Sequence, residues 1–261
     1  MNDNMLFDNH IHTKYSADSE MNPVEALRRA QELGVGLVFT EHFDWNFPGD
    51  KDFTFDADAY FAEYAPLQGF DLRLGAEIGI ADYAAEKNRE FVGNAPFDMV
   101  IGSLHLLRGV DLYLPEAYEG LTRNEAYTEY FADMAKAVRT QGDNFDVLGH
   151  IDYIARCAPY DDKSFVYGDF ADLIDAVLLA VIEKDVVLEV NTRRFGERFA
   201  VDSLMTVWKR YRELGGKYVT MGSDAHNLET IGKNFAVALS AVEACNLVPV
   251  TFAARRLQII R

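Results

Sequence analysis

The sequence predicts an α/β protein, a single barrel of seven parallel strands each followed by a helix, and three observations predict it. Apolar strand-like runs alternate along the chain with amphipathic helix-like runs. No Pro-, Gly- or Ser-rich linker, low-complexity tract or internal repeat interrupts them, so residues 1–261 read as one domain. All six histidines, His10, His12, His42, His105, His150 and His226, stand at or just past the C-terminal end of a strand-like run. Parallel β/α barrels carry their chemistry at that end.

Met5 to Ile11 forms the first strand. Asn22-Pro23-Val24-Glu25 then supplies an Asn cap, a proline at the first helical position and an early acid, which opens a helix running to about Leu33 and stopping at Gly34. Val35 to Thr40 is the second strand, followed by a long lid-like segment, Glu41 to Phe55, rich in Asp and aromatic residues, and by a helix near Asp56 to Leu67. Further strands are expected at Leu72 to Ile78, Met99 to Leu104, Val147 to Gly149, Val186 to Val190 and Tyr218 to Gly222. Helices are expected near Ala84 to Gly93, Asn124 to Thr140, Asp169 to Lys184, Ser203 to Leu214 and Ile231 to Ala244. On the helix near Asn124, Tyr127, Tyr130, Phe131 and Met134 follow helical spacing and read as core.

Composition narrows the function. The formal charge of −17 argues against a surface that tracks nucleic-acid backbone, which relies on clustered Lys and Arg. No window reaches the roughly 18 to 20 apolar residues of a membrane span, and the N-terminal MNDNMLFDNHIHT lacks a signal-peptide pattern, so a cytoplasmic protein is expected. Cys157 and Cys245 show neither metal-knuckle nor disulfide spacing and read as packing thiols. No heptad or apolar stripe decides between monomer and homodimer.

The chemistry-bearing motifs carry more. His10-Ile11-His12 points two imidazoles to one side of a strand by period-two spacing, and Asp18 follows six residues on. Glu41-His42 ends strand two, Gly75-Ala76-Glu77 strand three, Ser103-Leu104-His105 strand four and Gly149-His150 strand five. Gly222-Ser223-Asp224-Ala225-His226 follows strand seven. A lone H-x-H means little, but imidazoles and carboxylates gathered at one end of a barrel form the ligand set of a polynuclear divalent-metal site. Such a site suits hydrolysis of a phosphate monoester, because clustered ions acidify a bound water and cancel charge on the phosphoryl oxygens. The expected nucleophile is a metal-bridging hydroxide, with Glu77 placed to bridge; no G-x-S-x-G or P-loop pattern is present.

These residues in this order resemble the polymerase and histidinol phosphatase (PHP) family of metal-dependent phosphoesterases. The resemblance covers nearly the whole chain and is most specific at His10-x-His12, Thr40-Glu41-His42, Gly75-x-Glu77, Gly102-Ser103-x-His105, Gly149-His150-x-Asp152 and Gly222-Ser223-Asp224-x-His226. Within the family, a chain of this length without a polymerase or inserted domain resembles the stand-alone L-histidinol-phosphate phosphatases of histidine biosynthesis.

The resemblance implies a distorted seven-stranded barrel, TIM-like, holding three divalent ions drawn from Zn, Fe or Mn. By similarity His10, His12, Glu77 and Asp224 hold one ion, Glu77 bridges to a second held with His105 and His150, and Asp18, His42 and His226 hold the third. Some members carry His where this chain has Asp18, a change that keeps a ligand and bears on metal preference. Glu77, His105, Asp224 and Arg156 are the expected catalytic residues. Arg156, Arg193 and Arg194 are the expected contacts for the outer phosphate oxygens, with Arg193 and Arg194 standing where small residues are more usual. Asp152 is expected to orient a ligand imidazole. Phe43, Asp44, Trp45 and Phe47 either close over the substrate or meet its amino and imidazole groups, or else the loop packs its own aromatics. The implied partner is a small phosphorylated metabolite, L-histidinol phosphate first. A phosphoesterase for another small ester, such as a sugar phosphate or nucleotide, and a non-catalytic metal-binding barrel remain the alternatives.

Overall fold

The computed structural model describes residues 5–69, 71–197 and 199–260. In chain order the strands are β1 (Phe7–Ile11), β2 (Gly36–Phe43), β3 (Leu72–Gly79), β4 (Met99–Ser103), β5 (Leu106–Leu107), β6 (Val110–Asp111), β7 (Val147–Leu148), β8 (Val187–Asn191), β9 (Tyr218–Gly222), β10 (Val248–Ala253) and β11 (Arg256–Ile259). The helices are α1 (Pro23–Leu33), α2 (Ala57–Tyr64), α3 (Ala85–Gly93), α4 (Arg123–Gln141), α5 (Tyr153–Cys157), α6 (Ala171–Glu183), α7 (Ala200–Glu213) and α8 (Phe235–Ala244). The helix starts follow local chemistry. Asn22 Oδ1 accepts from the N–H groups of Val24 and Glu25, Asp56 caps α2, and Thr122 with Glu125 forms a capping box on α4. Gly34 ends α1 at φ +69°, a conformation that costs a residue without a β-carbon little.

Seven strands, β1, β2, β3, β4, β7, β8 and β9, pair in parallel in that order. The ring closes at its C-terminal end, where Ile11 bridges Ala225 and His12 N–H donates to Ala225 O at 2.9 Å. At the other end β9 pairs with β10 through Val248 and Tyr218, and β10 turns back into β11. This asymmetric closure, with a register shift between Asp8 and Ile11 of β1, is the distortion expected of the barrel.

Alternation along the strands separates two apolar layers. Leu37, Phe39, Leu74, Val100, Leu148, Leu188 and Val190 pack with helix residues such as Tyr130, Ile174, Val207 and Ala238. Val38, Met99, Ile101, Val147 and Val187 form a separate cluster with Phe7 of β1 and Val250 and Phe252 of β10. Among the described residues no helix contributes to this second cluster, so it is the barrel interior, stoppered by the C-terminal hairpin. Further toward the C-terminal ends of the strands the inward positions turn polar, at Thr40, His42, Glu77, Ser103 and Glu189, all buried.

Strand β2 runs on through Phe43, so the expected lid begins at Asp44 rather than Glu41. Parallel pairing of Glu41, His42 and Phe43 with Ala76, Glu77 and Ile78 of β3 holds that extension. The other boundaries move by a few residues. Absent from the sequence reading are the β5–β6 and β10–β11 hairpins and the short helix α5. Tyr127, Tyr130, Phe131 and Met134 are fully buried, as their spacing predicts. No helix among the described residues is long and apolar enough to cross a membrane.

Candidate metal centre

Glu77, near the C-terminal end of β3, stands at the middle of the site and is fully buried. Its two oxygens serve different neighbours. Oε2 lies 3.2 Å from His10 Nε2, 3.4 Å from His12 Nε2 and 3.0 Å from His42 Nδ1. Oε1 lies 2.9 Å from His150 Nε2 and 3.4 Å from His105 Nε2. Asp224 Oδ1 comes within 3.6 Å of His12 Nε2 and 4.0 Å of His10 Nε2. Nearer the mouth, Asp18 Oδ2 stands 3.2 Å from His226 Nε2 and 3.7 Å from His42 Nε2. All nine expected ligand positions therefore meet in one cluster.

Backbone geometry serves this convergence. Asp224 sits at φ +54°, a left-handed conformation that a non-glycine residue keeps only where the surroundings enforce it. Two residues earlier, any β-carbon on Gly222 would collide with Glu189 and His10. That position has to be glycine for β1 and β8 to approach.

Several buried polar atoms of the cluster lack hydrogen-bond partners. His10 Nε2, His12 Nε2, His42 Nδ1 and Glu77 Oε2 are all inaccessible and form no hydrogen bond, a cost that folded proteins rarely leave unmet. Proton affinities show what would satisfy them. Burial opposes charge on His10 and His42, yet Glu77, with Glu189 beside His10 and Asp18 and Asp44 beside His42, carries both well above the ordinary imidazole value. His105 is pushed up to about 9 against its burial by Asp44 and Glu77. Glu77 itself is held well below the usual carboxylate range despite burial, by His10, His42 and His105. Arg156 and the imidazoles hold Asp224 low in the same way. His12 is instead driven down, by burial and by neighbouring His42 and His226. A field that draws protons onto buried imidazoles draws cations, and metal ions compete for the same lone pairs. Imidazole and carboxylate donors in groups such as His10, His12 and Glu77, or Glu77, His105 and His150, fit divalent metal ions.

Each of three imidazoles has a polar partner behind it that spacing alone did not reveal. His10 Nδ1 lies 2.7 Å from Glu189 Oε1, His105 Nδ1 lies 2.8 Å from Asp44 Oδ1, and His12 Nδ1 lies 3.0 Å from Ser16 Oγ. Such contacts fix ring orientation and tautomer. Glu189 carried a signal, being an acid in the otherwise apolar run Val187 to Val190, and Asp44 another, two residues beyond His42 on an extended chain.

The arginines divide. Arg156 lies across Tyr153, 4.5 Å from the ring centre, and donates from both terminal nitrogens to Asp224 Oδ2 at 2.8 and 3.0 Å. Arg193 approaches Asp224 Oδ1 at 3.6 Å and His226 Nδ1 at 3.1 Å. Both line a cavity of about 190 Å³ over the cluster. Arg194 does not reach that cavity: it is buried against Asp152 at 2.6 Å and Glu197 at 2.9 Å. The adjacent arginines occupy one turn and point apart. Asp152 is thereby occupied by Arg194, and no imidazole of the cluster bonds to it among the described residues. Of the loop aromatics, Phe47 packs edge-on to Phe53 and both face a second arm of the cleft with Asp111, Tyr113 and Tyr153. Phe43 stacks on Phe91, away from the cluster, and Trp45 lies under Lys87.

The chain is similar to known proteins. A family model described as PHP domain matches residues 8–193. A probable histidinol-phosphatase of Clostridium acetobutylicum is 42% identical over 251 residues, covering 96% of this chain and 98% of the relative. A histidinol-phosphatase of Lactococcus lactis is 35% identical over 230 residues, covering 84% and 83%. The crystal structure of histidinol phosphate phosphatase from Lactococcus lactis, complexed with zinc, L-histidinol and phosphate, superposes with a TM-score of 0.89 at 31% identity, covering 97% of this chain and 98% of that one. On these matches and on the site just described, the chain belongs to the PHP domain family.

Proposed function

We propose that the chain is a metal-dependent phosphomonoesterase that hydrolyses L-histidinol phosphate to L-histidinol and phosphate, using three divalent ions of the Zn, Fe or Mn type. The observation that carries the reading is the division of the Glu77 oxygens between two sets of imidazoles, directly beneath two arginines in one cleft. His10, His12, Glu77 and Asp224 would hold one ion, Glu77, His105 and His150 a second, and Asp18, His42 and His226 the third. When bound, such ions supply an acidified water and cancel charge on the phosphoryl group. The relatives' names and the zinc, L-histidinol and phosphate of the Lactococcus lactis structure support the substrate.

The chain's own residues do the rest. Arg156 and Arg193 bind the outward phosphoryl oxygens, for which a planar guanidinium is suited. Tyr153 beneath Arg156 holds that guanidinium in register. The second arm, with Phe47, Phe53 and Asp111, offers aromatic faces and a carboxylate to the imidazole and ammonium of the alcohol. The same reading treats residues 1–261 as one catalytic domain, supported by the single nine-stranded sheet that runs from Phe7 to Ile259.

The test is phosphate release by protein reconstituted with Mn or Zn, from L-histidinol phosphate beside sugar phosphates, nucleotides and a diester, with bound metal quantified. A kcat/KM for L-histidinol phosphate far above the others is expected. A different preferred ester overturns the substrate, and no hydrolysis by ion-loaded protein overturns the activity.

A further inference from the structure

Ser16 in the loop after β1 and Glu41 in β2 stand behind His12, and neither is among the nine ligand positions. Ser16 Oγ donates to Glu41 Oε2 at 2.7 Å, lies 3.0 Å from His12 Nδ1 and accepts the backbone N–H of His42 at 3.1 Å. Glu41 also accepts from Thr13, from its N–H at 2.9 Å and its hydroxyl at 2.5 Å. His12 and Glu41 are fully buried and Ser16 nearly so.

Proton counting fixes the direction of this chain. A serine hydroxyl carries one hydrogen, an amide N–H only donates, and a carboxylate only accepts. With its hydrogen committed to Glu41, Ser16 meets His12 solely as an acceptor. The hydrogen between them must then sit on His12 Nδ1, which leaves Nε2 with a free lone pair. Nε2 is the atom aimed at Glu77 Oε2 and Asp224 Oδ1, buried and without a hydrogen bond.

We propose that Glu41, acting through Ser16, is a positioning residue that locks His12 as the Nδ1–H tautomer and so raises the affinity of the cluster for its ions. Because Ser16 also anchors the His42 backbone, one hydroxyl sets two ligands that come from different strands. The inference rests on the reading of His12 as an ion ligand and is independent of which ester is hydrolysed.

The test is long-range proton–nitrogen NMR of the imidazoles in the metal-free, ¹⁵N-labelled full chain, together with zinc affinity by competition with a chelator. The wild-type spectrum should show His12 with a protonated Nδ1 and an unprotonated Nε2. Ser16→Ala should lose that pattern and bind zinc about 10- to 100-fold more weakly, the range found when partners behind a ligand are removed. Ser16→Thr, which keeps the hydroxyl, should restore both. A wild-type His12 protonated on Nε2 overturns the proposal whether or not any variant folds, and so does a Ser16→Ala protein with unchanged tautomer and zinc affinity. Failure of the wild-type protein to release phosphate from L-histidinol phosphate would overturn the functional reading and leave these readouts intact.

Discussion

Glu189 Oε1 lies 2.7 Å from His10 Nδ1 while Oε2 accepts the backbone N–H of His150 at 2.8 Å, so one buried carboxylate of β8 braces ligand positions from two other parts of the barrel. Asn191 Nδ2 adds a third donor to Oε2 at 3.2 Å. Glutamine at this position has the same shape but one acceptor oxygen. Its amide nitrogen must face either His10 Nδ1 or the two donors opposite, and facing His10 is the smaller loss. His10 is then forced to carry its hydrogen on Nε2, the atom needed for an ion. Glu189→Gln is expected to keep the fold and weaken ion binding about 10- to 100-fold. Chelator competition with circular dichroism checks both halves, and unaltered affinity would show that Glu189 is only structural.

Glu77→Ala removes the carboxylate whose two oxygens are divided between the two imidazole sets. Phosphate release should fall by more than about 100-fold, beyond the usual effect of losing a residue behind a ligand. The fold should survive, because the variant leaves the apolar layers untouched. Retained turnover by a properly folded Glu77→Ala protein would remove Glu77 from the centre of the mechanism.

The adjacent pair Arg193 and Arg194 separates binding from stability. Arg156→Ala and Arg193→Ala should each lower kcat/KM by about 10- to 100-fold, the value of one or two charge-assisted hydrogen bonds. Arg194→Ala should leave kcat/KM of the folded protein near wild type. It strands the buried Asp152 carboxylate instead, a loss of about 3 kcal/mol for a broken buried pair. Urea denaturation and steady-state kinetics on the three variants distinguish the two outcomes, and an Arg194→Ala enzyme as stable as wild type would contradict the packing described.

Eight of the nine expected ligand positions were legible as ligand-type residues at or just past a strand end, with Asp18 in the loop after the first strand, and a barrel brings strand ends together whatever the details of its closure. Asp44 was read only as a loop residue facing the substrate, not as the partner of His105, and Glu189 was not recognised at all. One looks like any acid opening a loop, and the other needs the inward face of β8 to be known before its partner His10, 179 residues away, can be named. Arg194 misled because neighbouring residues in a turn carry no period that tells inward from outward. The β10–β11 hairpin escaped notice for a related reason: Ala254 and Arg255 form its turn at φ +48° and +61° without the Asn-Gly signal such turns usually show. Arg255 is held there by Asp146, at 2.5 Å, at the end of the barrel that the hairpin stoppers.

In the metal-free chain, protons take the place of ions on the raised imidazoles. His105, for which Asp44 and Glu77 overcome burial, is carried to about 9 from an ordinary 6.5. A pKa raised on folding stabilises the fold fully below about 6.5, and that contribution disappears as pH climbs through about 9. Ion binding runs in the opposite direction, because it needs the lone pair that the proton occupies. Metal-free protein is therefore expected to lose thermal stability between pH 7 and 9. Ion-loaded protein should hold its own there, with about 2.7 kcal/mol gained at an ion concentration 100 times Kd. Calorimetry in buffers of different ionisation enthalpy should register net proton release when ions bind at pH 7. Ion binding without proton release, or a metal-free melting temperature that stays flat across this window, would mean that the imidazoles of the cluster are already neutral before the ions arrive.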